Sequence, residues 1–223
     1  MTTQQRYQFI VVIVLLGLVC SGCLETGADA DTLLQNTTEK QASAESLAYI
    51  EKLTIYIGNE TEIIEYDVLL KKPDKFRRIE KSGSFIRSEI TSNGDIVWIY
   101  DPEKNTVFIR NLTSSEKLPE PAIYALLNDN IFEKYMVTGQ EMESHNPTPA
   151  YKIELASRES DNEDTREYLL WIDPDGLIPL KLESWDKGNP VLTLEYRDYS
   201  INCTTNDSDF TFTIPDDASV MYI

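Results

Sequence analysis

The sequence predicts an α+β domain built on a strongly curved antiparallel sheet of about 9–11 short strands, with two or three short helices laid on it. Three observations carry this reading. Short runs of alternating apolar and polar residues recur through most of the chain, the signature of strands with one face buried and one wet. Clusters of Pro, Gly, Asn and Asp separate those runs at near-regular spacing. In two places the apolar spacing changes to a helical period.

Ahead of the domain, Phe9–Val19 is an apolar run of about eleven residues, with no charge between Arg6 and Glu25. A helix needs about 20 apolar residues to cross a bilayer, so this run is short for a span and fits the core of a secretory signal peptide. Ser21-Gly22 places small side chains directly before Cys23, which resembles the lipobox of lipoprotein signal peptides. The resemblance implies a signal peptide over residues 1–22 and Cys23 as the lipid-bearing first residue of the mature chain, although Cys20 stands where that pattern has Leu. The rival reading is an uncleaved signal anchor in which both cysteines are ordinary membrane-embedded residues. A diacyl-type anchor holds a protein stably at a membrane. Residues 23–41 are polar and acidic with small side chains and read as a flexible tether, leaving 42–223 as the domain.

Within the domain, Leu47, Ile50 and Leu53 recur at helical spacing and predict a short amphipathic helix over 42–53. Ile64, Tyr66, Val68 and Leu70 alternate with charged residues, a strand that ends at Lys72-Pro73-Asp74. KFRRIEK and SFIRSEIT follow as strands joined at Ser82-Gly83, and Asn93-Gly94 is a strong hairpin signal. Ile96–Tyr100 and Thr106–Arg110 flank the turn Asp101–Asn105. After Pro119 and Pro121, Ile123, Leu127, Ile131 and Tyr135 form one helical stripe, bent around Asn128-Asp129-Asn130. Strands resume with YKIELAS, EYLLWID, LIPLKLESWD, VLTLEYRDYSIN and FTFTIPDD, separated by the charged loop 158–166, Asp173-Pro174-Asp175-Gly176 and Lys187-Gly188-Asn189-Pro190.

The net charge of −18 argues against nucleic acid or an anionic lipid surface as the main partner, since both repel such a field. After cleavage only Cys23 and Cys203 remain, too few for a disulfide framework or a zinc site. Asn36, Asn59, Asn111, Asn202 and Asn206 each open an N-x-[ST] sequon, candidate N-glycosylation sites that, with a lipobox, suit an archaeal surface protein. No catalytic constellation stands out. His145, the single histidine, is expected in a polar loop, Glu143–Pro147, and no G-x-S-x-G elbow is present. Asp173 and Asp175 are turn chemistry. Asp161–Asp164 lacks the glycine and terminal Glu of an EF-hand and reads as a solvated loop. The chain is therefore expected to act without catalysis, metal or cofactor, as a monomer.

LLKKPDKFRRI, NGDIVWIYDPEKNTVFIRN, YLLWIDPDGLIPLKLESWD, VLTLEYRDYSIN and FTFTIPDD, in this order, resemble the lipoprotein-carrier superfamily that includes LolA-like carriers, LolB-like receptors and the envelope sensor RseB. The resemblance spans about residues 42–220. It implies an unclosed half-barrel whose apolar concave face is plugged by helices and binds acyl chains of lipids or lipoproteins, or an envelope protein partner. Burying alkyl chains is worth roughly 0.8 kcal/mol per CH₂ and asks for no hydrogen bonds. The residues that would line such a cavity are Ile64, Tyr66, Val68, Trp98, Tyr100, Ile153, Leu155, Leu180, Leu182, Leu194 and Tyr196, with Leu127 and Ile131 from the lid; plain core packing is the alternative role for each.

Overall fold

The computed structural model describes residues 29–113, 121–128, 131–145, 148–158 and 166–223. Cys20, Cys23 and the Asp161–Asp164 cluster lie outside the described residues.

The first described element is a helix, α1 (Ala30–Ala42). Asp29 caps it, its carboxylate accepting the Thr32 amide at 3.0 Å, and Leu33, Leu34, Thr37 and Gln41 form a buried stripe. The tether expected over 23–41 is thus corrected from residue 30 onward: its few apolar residues share one helical face and are buried in the core. Among the described residues twelve strands follow in one sheet: β1 (Ser46–Ile57), β2 (Glu60–Lys71), β3 (Lys75–Ser82), β4 (Phe85–Asn93), β5 (Ile96–Asp101), β6 (Thr106–Asn111), β7 (Tyr135–His145), β8 (Thr148–Ser157), β9 (Arg166–Asp173), β10 (Ile178–Asp186), β11 (Asn189–Ile201) and β12 (Ser219–Tyr222). Between β6 and β7 lie α2 (Ala122–Asn128) and α3 (Ile131–Lys134). The sheet is mostly sequential and antiparallel, in the order β12-β6-β5-β4-β3-β2-β1-β11-β10-β9-β8-β7, and its end strands do not pair, so it is unclosed. Helices are few, and α+β describes the fold only loosely.

Three segments differ from expectation. Residues 46–57 form β1, because Leu47, Tyr49, Leu53, Ile55 and Ile57 alternate and the β-branched and aromatic content favours a pleated surface over the weaker 3.6 spacing. The stripe predicted to run from Ile123 to Tyr135 ends at Lys134; Tyr135–His145 is the edge strand β7, with His145 at its end rather than in a loop. FTFTIPDD adds no strand to the ladder. A 3₁₀ turn, Asp207–Phe210, buries Phe210 against the sheet, and the chain then supplies β12, the one parallel strand among the described residues, beside β6.

The turns behave as their residues predict. Asn93 Oδ1 accepts the amides of Asp95 and Ile96, and Gly94 sits at φ 101°, where an added Cβ would lie 2.8 Å from an Asp74 carboxylate oxygen. Asp173 Oδ1 accepts the Asp175 amide at 3.0 Å, an Asx turn.

The register fixes which residues share a face. Leu47, Tyr49, Glu51 and Leu53 stand opposite Leu70, Val68, Tyr66 and Ile64, and the same inner face continues through Tyr196 and Leu194 on β11, Leu182 on β10, Leu170 on β9 and Ile153 on β8. These residues join Leu33 and Leu34 of α1 and Ile123, Tyr124 and Leu127 of α2 in one core. α1 touches β7 and also meets the end of β2, where Lys72 Nζ donates to Ala42 O. Six strand spacings would separate those two places by about 29 Å on a flat sheet, while thirteen residues of helix span only about 20 Å. The sheet therefore curves around the helix.

Candidate ligand-binding site

The inner face is covered unevenly. At the lower end, where β1 begins, Leu47, Tyr49, Val68 and Leu70 are buried beneath the helices. Toward the β1–β2 hairpin at the upper end, Leu53, Ile55, Tyr66, Ile64 and Leu192 are only half-buried, and Ile57 is 62% exposed. An apolar strip thus emerges from under the helices and runs to the rim.

The boundary between the covered and open parts is polar. Glu51, on β1, points inward and is 7% exposed. Its Oε2 accepts the Tyr196 hydroxyl at 2.9 Å and the Ala122 amide at 3.1 Å, while Tyr196 Oη accepts the Ile123 amide at 3.1 Å. A carboxylate is well placed there, because the first amides of a helix lack intrahelical partners and carry partial positive charge. The first turn of α2 is thereby latched to the sheet. Around the latch Tyr49 stacks on Tyr199 with ring centroids 5.4 Å apart and meets Tyr196 edge-on, and the Tyr199 hydroxyl donates to Gln41 of α1 at 2.8 Å. Burial drives the Tyr124, Tyr196 and Tyr199 hydroxyls well above the ordinary tyrosine value, and the Glu51 charge pushes Tyr196 and Tyr199 further the same way.

The predicted lining residues fall into several groups. Val68, Leu127, Ile153, Leu155, Leu182, Leu194 and Tyr196 lie in the core, with Tyr66 packed half-buried against it. Ile64 lies on the open strip, beyond the core. Leu180 sits at a bulge in β10, half-buried and outside the core cluster. The Ile131 side chain lies outside the described residues. Trp98 and Tyr100 are corrected: the pairing Val68–Arg78–Ile90–Ile99 and Leu70–Phe76–Ser92–Val97 puts Ile99 and Val97 on the inner face, so their neighbours Trp98 and Tyr100 face outward. There Tyr100 packs on Phe212 at 5.5 Å, under the C-terminal segment. Both faces of β5 are apolar, so alternation alone could not say which one faces the helices.

Sequence reasoning missed Glu51. The helical reading of 42–53 hid it; on a strand its place in the inward series 47, 49, 51, 53 marks it as a buried charge that needs a partner. Among the described residues, no three His, Cys, Asp or Glu side chains gather to hold a metal ion, and no helix is long and apolar enough to cross a membrane.

The fold is an unclosed, mostly antiparallel sheet curved around a few helices and apolar on its inner side. Residues 54–213 match the family model of the outer membrane lipoprotein carrier protein LolA, and the chain belongs to that family. An uncharacterized protein of Methanocaldococcus jannaschii is 24% identical over 216 residues, 97% of this chain and 60% of its own length, so the chain spans less than two thirds of that relative. The complex of MucA and MucB from Pseudomonas aeruginosa is similar in fold at 12% identity and TM-score 0.52, covering 83% of this chain and 62% of that one. The Mycobacterium tuberculosis lipoprotein LppX aligns at 15% identity and TM-score 0.49, covering 79% of this chain and 98% of its own.

Proposed function

We propose that this chain is a membrane-anchored lipoprotein facing the exterior, which binds a lipid or the acyl chain of a lipoprotein on the inner face of its sheet and serves as a receptor or local chaperone in lipoprotein sorting. The observation that carries the reading is the gradient of burial along β1, β2 and β11, from a sealed core to an apolar strip ending in Ile57. An alkyl chain laid on that strip, beneath α2, needs only van der Waals contact. The latch at Glu51 and Tyr196 joins α2 to the sheet by two hydrogen bonds, few enough to open. Membership of the LolA family supports an extracytoplasmic place for the domain. Attachment through Cys23 suits a receptor better than a soluble shuttle. Of the sequons, Asn59, Asn111, Asn202 and Asn206 are exposed at turns and strand ends where a glycan has room, whereas Asn36 lies within α1.

Native mass spectrometry of the chain from residue 24, which keeps every described element, tests this. Co-purifying lipid that Leu53→Glu removes is the expected result. A ligand-free protein that also takes up no lipid from vesicles would overturn it.

A second reading, a module that binds another envelope protein, is favoured by β7. It is the open edge of the sheet, eleven residues long, with Met136 and Met142 exposed.

A further inference from the structure

A cation stands on the inner face where the covered core meets the open strip. Arg78 of β3 lies in register with Val68 on one side and Ile90 on the other, so it shares their inward side. It is half-buried, and its guanidinium carbon stands 3.7 Å from the centroid of the Tyr66 ring. Its surroundings are apolar: Ile90, Ile99 and Phe108 continue the same row across β4, β5 and β6, half-buried and outside the core. A charge in such a place normally has a counter-charge. Arg78 has none in ion-pair range among the described residues, whereas its neighbours Arg77 and Lys81 are paired with Glu89 at 3.0 Å and Asp67 at 3.2 Å. The two carboxylates near it on the same side of the sheet are engaged elsewhere. Glu51, opposite Tyr66, accepts from Tyr196 and Ala122, and Glu80 accepts from the Ser88 hydroxyl at 3.4 Å. Tyr66 occupies one face of the guanidinium and leaves most of its N–H donors for a group from outside the protein.

We propose that the lipid held on the inner face is acidic, with a carboxylate or phosphate head on Arg78 and its alkyl chain running up the strip past Ile64, Leu53 and Ile55. This rests on the acyl-chain reading of that strip and narrows it to lipids that end in an oxyanion. A planar guanidinium matches either head with two parallel hydrogen bonds. From the level of Glu51 and Tyr66 to Ile57 is six residues of strand, roughly 20 Å, which gives a long alkyl chain room to lie. The net charge of −18 repels anions over the surface at large, so a preference for an anionic head reports the local cation and not the overall field.

Displacement of the uncharged fluorophore N-phenylnaphthylamine from the chain from residue 24 tests the proposal, with dodecanoate, dodecyl phosphate and dodecanol as competitors. At least one of the anions is expected to bind about tenfold more tightly than dodecanol, and the tighter of the two identifies the head. Arg78→Met removes that preference while leaving the fluorophore and dodecanol affinities unchanged, which shows the fold intact. Arg78→Lys, which keeps the charge without the fork, recovers part of it. Leu53→Gln, on the strip, weakens all three competitors alike. Dodecanol binding as tightly as both anions, or a preference that survives Arg78→Met, would overturn the proposal and leave the acyl-chain reading standing. Failure of the fluorophore and all three competitors to bind would overturn both.

Discussion

Replacing Glu51 with alanine removes the acceptor that ties α2 to the sheet. Two donors lose it, the buried Tyr196 hydroxyl at 2.9 Å and the part-buried Ala122 amide at 3.1 Å. An unsatisfied buried donor costs about 1–3 kcal/mol, and no longer burying a carboxylate returns part of that, so the net loss is about 2–4 kcal/mol. In a domain of this size the loss lowers the melting temperature by roughly 5–15 °C. Glu51→Gln keeps the shape and one acceptor oxygen, but turns its amide toward donors, and falls between alanine and wild type. Thermal unfolding reads the total, while hydrogen exchange at Ala122–Asn128 reads where it arises: protection is lost there first, with β1 and β11 still protected. If Glu51→Ala melts within a degree or two of wild type and the α2 amides keep their protection, the latch is not what holds the helix.

The buried tyrosines give a pH signature. The hydroxyls of Tyr124, Tyr196 and Tyr199, and less strongly Tyr66, are raised above the ordinary value of 10.0 by burial. A group raised on folding stabilises the folded state below its unfolded pKa, so their contribution is intact below about pH 10 and is lost as pH climbs beyond it. Titration at 295 nm should show these phenols ionising only with unfolding, after the exposed tyrosines. Leu34→Ala, at a position 1% exposed on α1, costs about 2–5 kcal/mol in urea unfolding; a change below 0.5 kcal/mol would return residues 30–42 to a tether. Cys23→Ser releases the protein from membranes into the medium if a lipid on Cys23 is the anchor, and retention of the variant would point to the uncleaved helix instead.

Much of the sheet was legible because half-buried antiparallel strands alternate and their hairpins carry Asn-Gly and Asp-Pro signatures. β2–β6 and β8–β11 were readable from such features, and the turns at Gly94 and Gly176 fell where their residues required. Long-range demands hid the rest. β7 follows α3 without a break and offers little apolar alternation, because an edge strand packs little of itself. α1 has few apolar residues, and only burial against the sheet makes its face count. The sidedness of Trp98 and Tyr100 follows from register through β2, β3 and β4, which no local pattern contains. Glu51 was visible as a residue and not as a function, since its role depends on a helix about 70 positions away reaching it.

The acyl-chain reading is tested most directly by photo-crosslinking a diazirine-bearing fatty acyl lipid to the protein and mapping the adducts by peptide mass spectrometry. Adducts on the upper inner strip, at Leu53, Ile55, Ile64 and Leu192, are the predicted result. Adducts confined to outward-facing residues such as Ile50 and Trp98, or none above a no-light control, would contradict it.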